Sequence, residues 1–174
     1  MTTADPAVPA EDRCFEDYPP GAVFECGHIA VSEAEIIEFA GRYDPQDMHP
    51  DPEAAARGRF GGLVASGWHT AAMVMRLIAE NFLSKGTSLA SPGIDELRWL
   101  KPVRPGDVLR VRVTVLEATP SRSRSDRGMV RSFVEALNQD GDVVISMKPM
   151  NIIRRRGPHP SPPPLAGEGT GGGS

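Results

Sequence analysis

The sequence predicts an α+β domain in which one long apolar helix is covered by an antiparallel sheet of about five strands. Three observations point there. The stretch WHTAAMVMRLIAENFL (68–83) carries apolar residues at the three- and four-residue spacing of a buried helix face. His69, Arg76 and Glu80 break it well short of the ~20 uninterrupted apolar residues of a membrane span, so it reads as a core helix. After it the period changes to two, and IDELRWLKPV (94–103), DVLRVRVTVLEATPS (107–121), GMVRSFVEALNQ (128–139) and DVVISMKPMNII (142–153) have the composition of strands. Ahead of the helix, AVFECGHIAV (22–31) supplies one more. A strand, two helices and then an antiparallel meander bury the helix against the sheet.

The boundaries follow from local chemistry. SEAE after the first strand is a capping box, in which the Ser32 hydroxyl takes the Glu35 N–H while Glu35 reaches back. A helix therefore runs over about 33–42 and stops at Asp44-Pro45, because a residue before proline avoids the helical region. DPEAAARG predicts one or two short helical turns, capped by Asp51 and ending at Gly58. FGGLVASG is an extended approach to the long helix, expected over 67–83 with Ala71, Val74, Met75, Ile78 and Phe82 on its buried face. LRVRVTVL alternates strictly, which leaves one face of that strand wet, and QDGD marks a hairpin.

The 174-residue chain suits one domain, 13–154, between unstructured ends. Segments 1–12 and 155–174 are rich in Pro, Ala, Gly and Ser and bury too little apolar surface to offset chain entropy. His159 lies in the second of them and carries no role. A formal charge of −4 and a pI near 5.6 argue against nucleic acid as the partner, and no segment asks for a membrane. The N-terminus has neither a basic start nor an apolar stretch of signal-peptide length, which places the protein in the cytoplasm. Cys14 and Cys26 form neither a CxxC pair nor a disulfide framework and read as reduced bystanders.

The chemistry concentrates in FAGRYDPQDMHPD (39–51). An Asp44 and a His49 in one loop can converge on a water. Imidazole, with an ordinary pKa of ~6.5, is the base suited to neutral pH, and a carboxylate orients the water or carries a second proton. Gly67 then opens the long helix, where its N–H and the positive helix end can face a developing oxyanion. A base pair with an oxyanion donor is equipment for adding or removing water beside a thioester carbonyl.

The pattern F-A-x3-D-x4-H-x-D, then F-G-x4-A-x-G at the start of a long apolar helix, then RWLKPVRPGD, resembles the MaoC-like dehydratase family, which includes the (R)-specific enoyl-CoA hydratases. The resemblance spans about residues 15–153. It implies a hotdog fold, a helix wrapped by an antiparallel sheet. It implies that Asp44 and His49 hold and activate the catalytic water and that Gly67 donates its N–H to the thioester oxygen. It also implies a homodimer with pantetheine entering along the subunit interface, an acyl-CoA substrate and no cofactor or metal. Three positions depart from the pattern: Gln46-Asp47 stands where many hydratases have Asn-Pro, and Ser66 where many have His. Ser66 and Trp68, on either side of Gly67, are expected at the substrate, and Arg98, Lys101 and Arg104 where a CoA phosphate rests. Arg76, two turns after His69, would suit a second carboxylate on the acyl group. His28 and His69 read as structural or surface residues, and Arg154–Arg156 and RSRSDR as solvated charge.

Three other readings compete with reversible hydration. A hotdog thioesterase commonly uses a carboxylate from the central helix, and here the first is Glu80, near the helix end. A non-catalytic acyl-thioester binding subunit would not need both Asp44 and His49. A metal site at Asp44, His49 and Asp51 lacks a further imidazole at ligand spacing.

Overall fold

A computed structural model describes residues 8–157. Its elements run β1 (Val23–Ala30), α1 (Glu33–Tyr43), α2 (Pro52–Arg57), α3 (Gly67–Asn81), β2 (Ser88–Trp99), β3 (Val108–Pro120), β4 (Arg127–Leu137) and β5 (Val143–Arg154). All strand pairings are antiparallel, and the sheet order is β1-β3-β4-β5-β2.

That order corrects the simple meander. β3, β4 and β5 do follow one another, but β2 pairs with β5 at the far edge. The cause is the RPGD turn. Gly106 takes φ +88°, Asp107 Oδ2 accepts the Arg104 N–H at 2.8 Å, and Gly106 N–H and Val31 C=O bond at 2.8 Å. The turn is thus tied to the end of β1, and it delivers β3 beside β1 instead of beside β2. β2 also begins earlier than expected and ends at Trp99; the Leu100 and Lys101 N–H groups still reach the Val144 carbonyl at 2.8 and 3.3 Å, and Pro102 has no N–H with which to continue. Its pairing with β5 shifts register repeatedly, as edge strands often do.

On β3, Leu109, Val111, Val113 and Val115 point inward, and Val130, Val134 and Ala136 do the same on β4. They meet α3 on a stripe of Thr70, Met73, Val74, Leu77 and Ile78, continued by Phe82. Met75, expected on that face, is 46% exposed. The helix is apolar on adjoining faces, so periodicity alone leaves its rotation open by about one residue, 100°.

The far end of α3 is closed by residues that precede β1. Tyr18 Oη donates to the Phe82 carbonyl at 2.7 Å, and the buried Arg13 guanidinium donates to the carbonyls of Asn81 at 2.9 Å and Phe82 at 3.2 Å. The Tyr18 and Phe24 rings each pack edge to face on Phe82 around this point, with Arg13 4.7 Å above the Phe24 ring. Ser32 caps α1 as expected through the Glu35 N–H, although Glu35 returns to the Ser32 hydroxyl and not to its N–H.

The domain is tied down slightly beyond 13–154. A 3₁₀ turn covers Ala10–Asp12, and Ser84 Oγ donates to the Glu11 carbonyl at 2.6 Å. Arg155 and Arg156 pair with Glu16 and Asp17 at 3.0 and 2.7 Å. The rest of the segments expected to be unstructured, 1–7 and 158–174, lies outside the described residues. Cys14 and Cys26 are free thiols, and burial pushes Cys26 up to about 12. No helix among the described residues is long and apolar enough to cross a membrane.

Candidate active site

The site is built where α1 stops. Asp44 is the C-cap of α1, and its N–H still reaches the Ala40 carbonyl at 3.0 Å. Pro45 then prevents another turn of helix. Gln46 N–H bonds to Asp44 C=O, and His49 N–H to Gln46 C=O, each at 2.8 Å, which curls the loop so that Asp44 and His49 face one another. Asp51 closes it by capping α2 through the N–H groups of Glu53 and Ala54. The loop is stitched to the strand-like approach to α3 by Val64 N–H, which reaches Met48 C=O at 3.3 Å, and the approach is held in turn to the segment after β2 by Ala65 N–H to Val103 C=O at 2.8 Å.

His49 is buried, and its Nδ1 lies 2.8 Å from the Val64 carbonyl. A carbonyl only accepts, so the neutral ring carries its proton on Nδ1 and leaves the Nε2 lone pair open. Nε2 faces Asp44 Oδ2 at 3.6 Å, beyond a direct hydrogen bond but within reach of one water touching both. Asp44 Oδ1 accepts from the Gln46 side-chain amide at 2.6 Å, and Oδ2 accepts from Ser66 Oγ at 2.6 Å. These donors, Gln46 first and Ser66 second, hold the Asp44 carboxyl below the usual carboxylate range, with a smaller contribution from His49; burial opposes them.

Gly67 is the first residue of α3, so its N–H has no acceptor within the helix. Its missing Cβ makes room for a ring. A Cβ there would lie 2.6 Å from the Trp99 indole, whose Nε1–H donates to the Gly67 carbonyl at 2.8 Å. Trp99 thus sits on the start of α3, edge to face with Trp68 at 5.3 Å.

A cleft of about 520 Å³ opens over this arrangement, and Asp44, His49, Gly67, Trp68 and Lys101 line it. Lys101 is paired with Asp142 at 2.6 Å. Ser66, expected at the substrate, is wholly buried beneath, because its hydroxyl bonds to Asp44 and to the Trp68 N–H. Arg98 and Arg104 are not among the lining residues. Arg98 is exposed on β2, and Arg104 donates to the Phe60 carbonyl at 2.7 Å and so braces the 60–62 turn. Arg76 is exposed and paired with Glu80 at 3.0 Å, away from the cleft. His69 is buried against the Phe39 ring, stacked at 4.8 Å, with its Nδ1 unpaired, and burial holds its pKa below the ordinary value. Gln46, Arg59, Val64 and Trp99 belong to the site without having been singled out for it. Gln46 had a signal, as one of the departures from the family pattern; the Val64 carbonyl had none. Among the described residues no three of His, Cys, Asp and Glu gather as a metal site, and Asp51 is engaged as a helix cap.

The family model described as "MaoC like domain" matches residues 17–135. An uncharacterized protein of Bacillus subtilis (strain 168) is 35% identical over 141 residues, 81% of this chain and 99% of the relative. The 3-hydroxybutyryl-CoA dehydratase of Methylorubrum extorquens is 29% identical over 138 residues, 76% of this chain and 83% of that one. The crystal structure of the MaoC-like dehydratase from Rhodospirillum rubrum is similar with a TM-score of 0.77 and 44% identity, covering 83% of this chain and 98% of that chain.

Proposed function

Because the chain belongs to the MaoC-like domain family and is a hydro-lyase of the hotdog fold, we propose that it reversibly hydrates a 2-enoyl thioester of coenzyme A to the (R)-3-hydroxyacyl thioester. The observation that carries this reading is the His49 ring, anchored by Val64 through Nδ1 and turned with Nε2 toward Asp44 Oδ2 at 3.6 Å in a cleft at the start of α3.

Water held between His49 and Asp44 attacks C3 of the enoyl group. One of its protons passes to this pair as the C3–O bond forms, and the electrons of the C2–C3 double bond move toward the thioester oxygen. The Gly67 N–H and the positive end of α3 hold that enolate charge. A proton delivered to C2 restores the carbonyl and completes the addition; dehydration runs the same steps in reverse. No cofactor enters this scheme.

Two such chains pair as a homodimer, and the pantetheine runs along their interface. What supports this is the apolar surface beside the cleft: Trp68 is 59% exposed and Leu100 is 55% exposed. Light scattering that gives the mass of a single 18.7 kDa chain at micromolar concentration would remove the dimer.

The test of the reaction is the fall in enoyl-thioester absorbance with a panel of trans-2-enoyl-CoAs, run beside Asp44→Asn and His49→Ala and followed by chiral analysis of the product. Turnover to the (R)-alcohol, abolished by both substitutions, is the expected result. Release of free CoA without hydration would instead make the protein a thioesterase.

A further inference from the structure

Both oxygens of Asp44 are already occupied. Oδ1 accepts from Gln46 at 2.6 Å and Oδ2 from Ser66 at 2.6 Å. The Ser66 hydroxyl has little freedom to do otherwise: it is fully buried, and its oxygen also accepts the Trp68 N–H at 3.2 Å, so its single hydrogen is directed at Asp44. We propose that Ser66 and Gln46 are positioning residues that hold Asp44 as a fixed carboxylate, so that His49 Nε2 is the one group at the reacting water that takes up a proton and returns it.

The proposal rests on the hydration reading and divides its labour. Short hydrogen bonds to a carboxylate favour its charged form, and a carboxylate so stabilised is a weak base. The His49 Nε2 lone pair is not spent in this way, because the ring meets its carbonyl acceptor through Nδ1. His49 is the titratable group that faces Asp44; Asp47 shares the loop, and Arg59 and Lys101 line the same cleft. In the cycle, a water O–H bond breaks as the C3–O bond forms, the proton goes to Nε2, and the imidazolium beside the Asp44 anion then gives it to C2. No net proton is left on the enzyme. Gln46 and Ser66 are both among the positions at which the sequence departs from the family pattern.

The test follows the Asp44 side-chain carboxyl carbon by NMR as a function of pH in the wild type, Gln46→Met, Ser66→Ala and Ser66→Thr, with kcat and KM measured on the same samples. Loss of either donor is expected to raise the Asp44 midpoint by on the order of one pH unit. It should also lower kcat about tenfold, the scale of one hydrogen bond to a charged group, with KM within about twofold. Ser66→Thr, which keeps the hydroxyl, should restore both. Ser66 also caps α3, so Ser66→Ala could fail to fold; Gln46 is exposed, and Gln46→Met then carries the test. An unmoved midpoint in an active enzyme overturns the clamp alone. A midpoint that moves in the variants while the wild type hydrates no enoyl thioester overturns the proton-transfer role together with the hydration reading beneath it.

Discussion

His49 has its tautomer assigned by the backbone, since the Val64 carbonyl at 2.8 Å admits a donor and nothing else. In the proposed reaction it forms a unit with Asp44, and groups that act as a unit do not lose function additively. Asp44→Asn and His49→Ala should each lower kcat/KM by roughly 10²- to 10⁴-fold, and the double variant little further, measured on whichever enoyl-CoA turns over best. Losses that multiply would separate the two roles. The second histidine of this region titrates in the opposite sense to a stabilising ion pair. Burial lowers the pKa of His69 in the folded chain, so below the ordinary imidazole range, ~6.5, the unfolded chain binds the proton more readily. Stability is therefore fully present above that range, falls as pH drops through it, and levels off below the folded-state value. Urea midpoints at pH 7.5 and 5.5 should differ in the wild type and differ less in His69→Leu; equal pH dependence in both would sink the idea.

At the level of elements, the start of α3 is defined by what rests on it. Gly67→Ala would drive a methyl group into the Trp99 indole, where 2.6 Å is available. We expect about 1–3 kcal/mol of destabilisation by urea unfolding, and recovery of most of it when Trp99→Leu is added. If activity fails to return with stability, Gly67 matters for its N–H as well as for its size. The sequence anticipated the elements better than their arrangement. Period, caps and turn residues located β1, α1, α2 and α3 to within a residue or two, because those signals act over a few neighbours. The place of β2 beside β5, and the side of α3 that carries Met75, depend on contacts between distant segments and were not legible. The site divides in the same way. Asp44, His49 and Gly67 were visible as residue types at a spacing, and the structure brings the first two within 3.6 Å. The Val64 carbonyl and the Trp99 ring were not visible, since a backbone acceptor has no letter of its own and Trp99 bonds to a residue 32 positions away.

For the whole molecule, the described chain closes on itself through its ends. The segment before β1 carries Arg13, which donates to the Asn81 carbonyl and shares the Phe82 carbonyl with Tyr18 at the end of α3, with a favourable charge for that helix terminus. Arg13→Ala should cost about 1–3 kcal/mol, read as a lowered urea midpoint, even though Arg13 does not line the cleft. A fall of less than about 0.5 kcal/mol would mean that Tyr18 alone suffices. α3 behaves as an axle seated in two bearings. One is the Trp99 indole and the Ser66 cap at its first turn, the other the Arg13 and Tyr18 pair at its last, ~22 Å away at 1.5 Å per residue. The two bearings hold one continuous helix between them. The residues before β1 are therefore a trimming screw for the helix whose first turn borders the cleft.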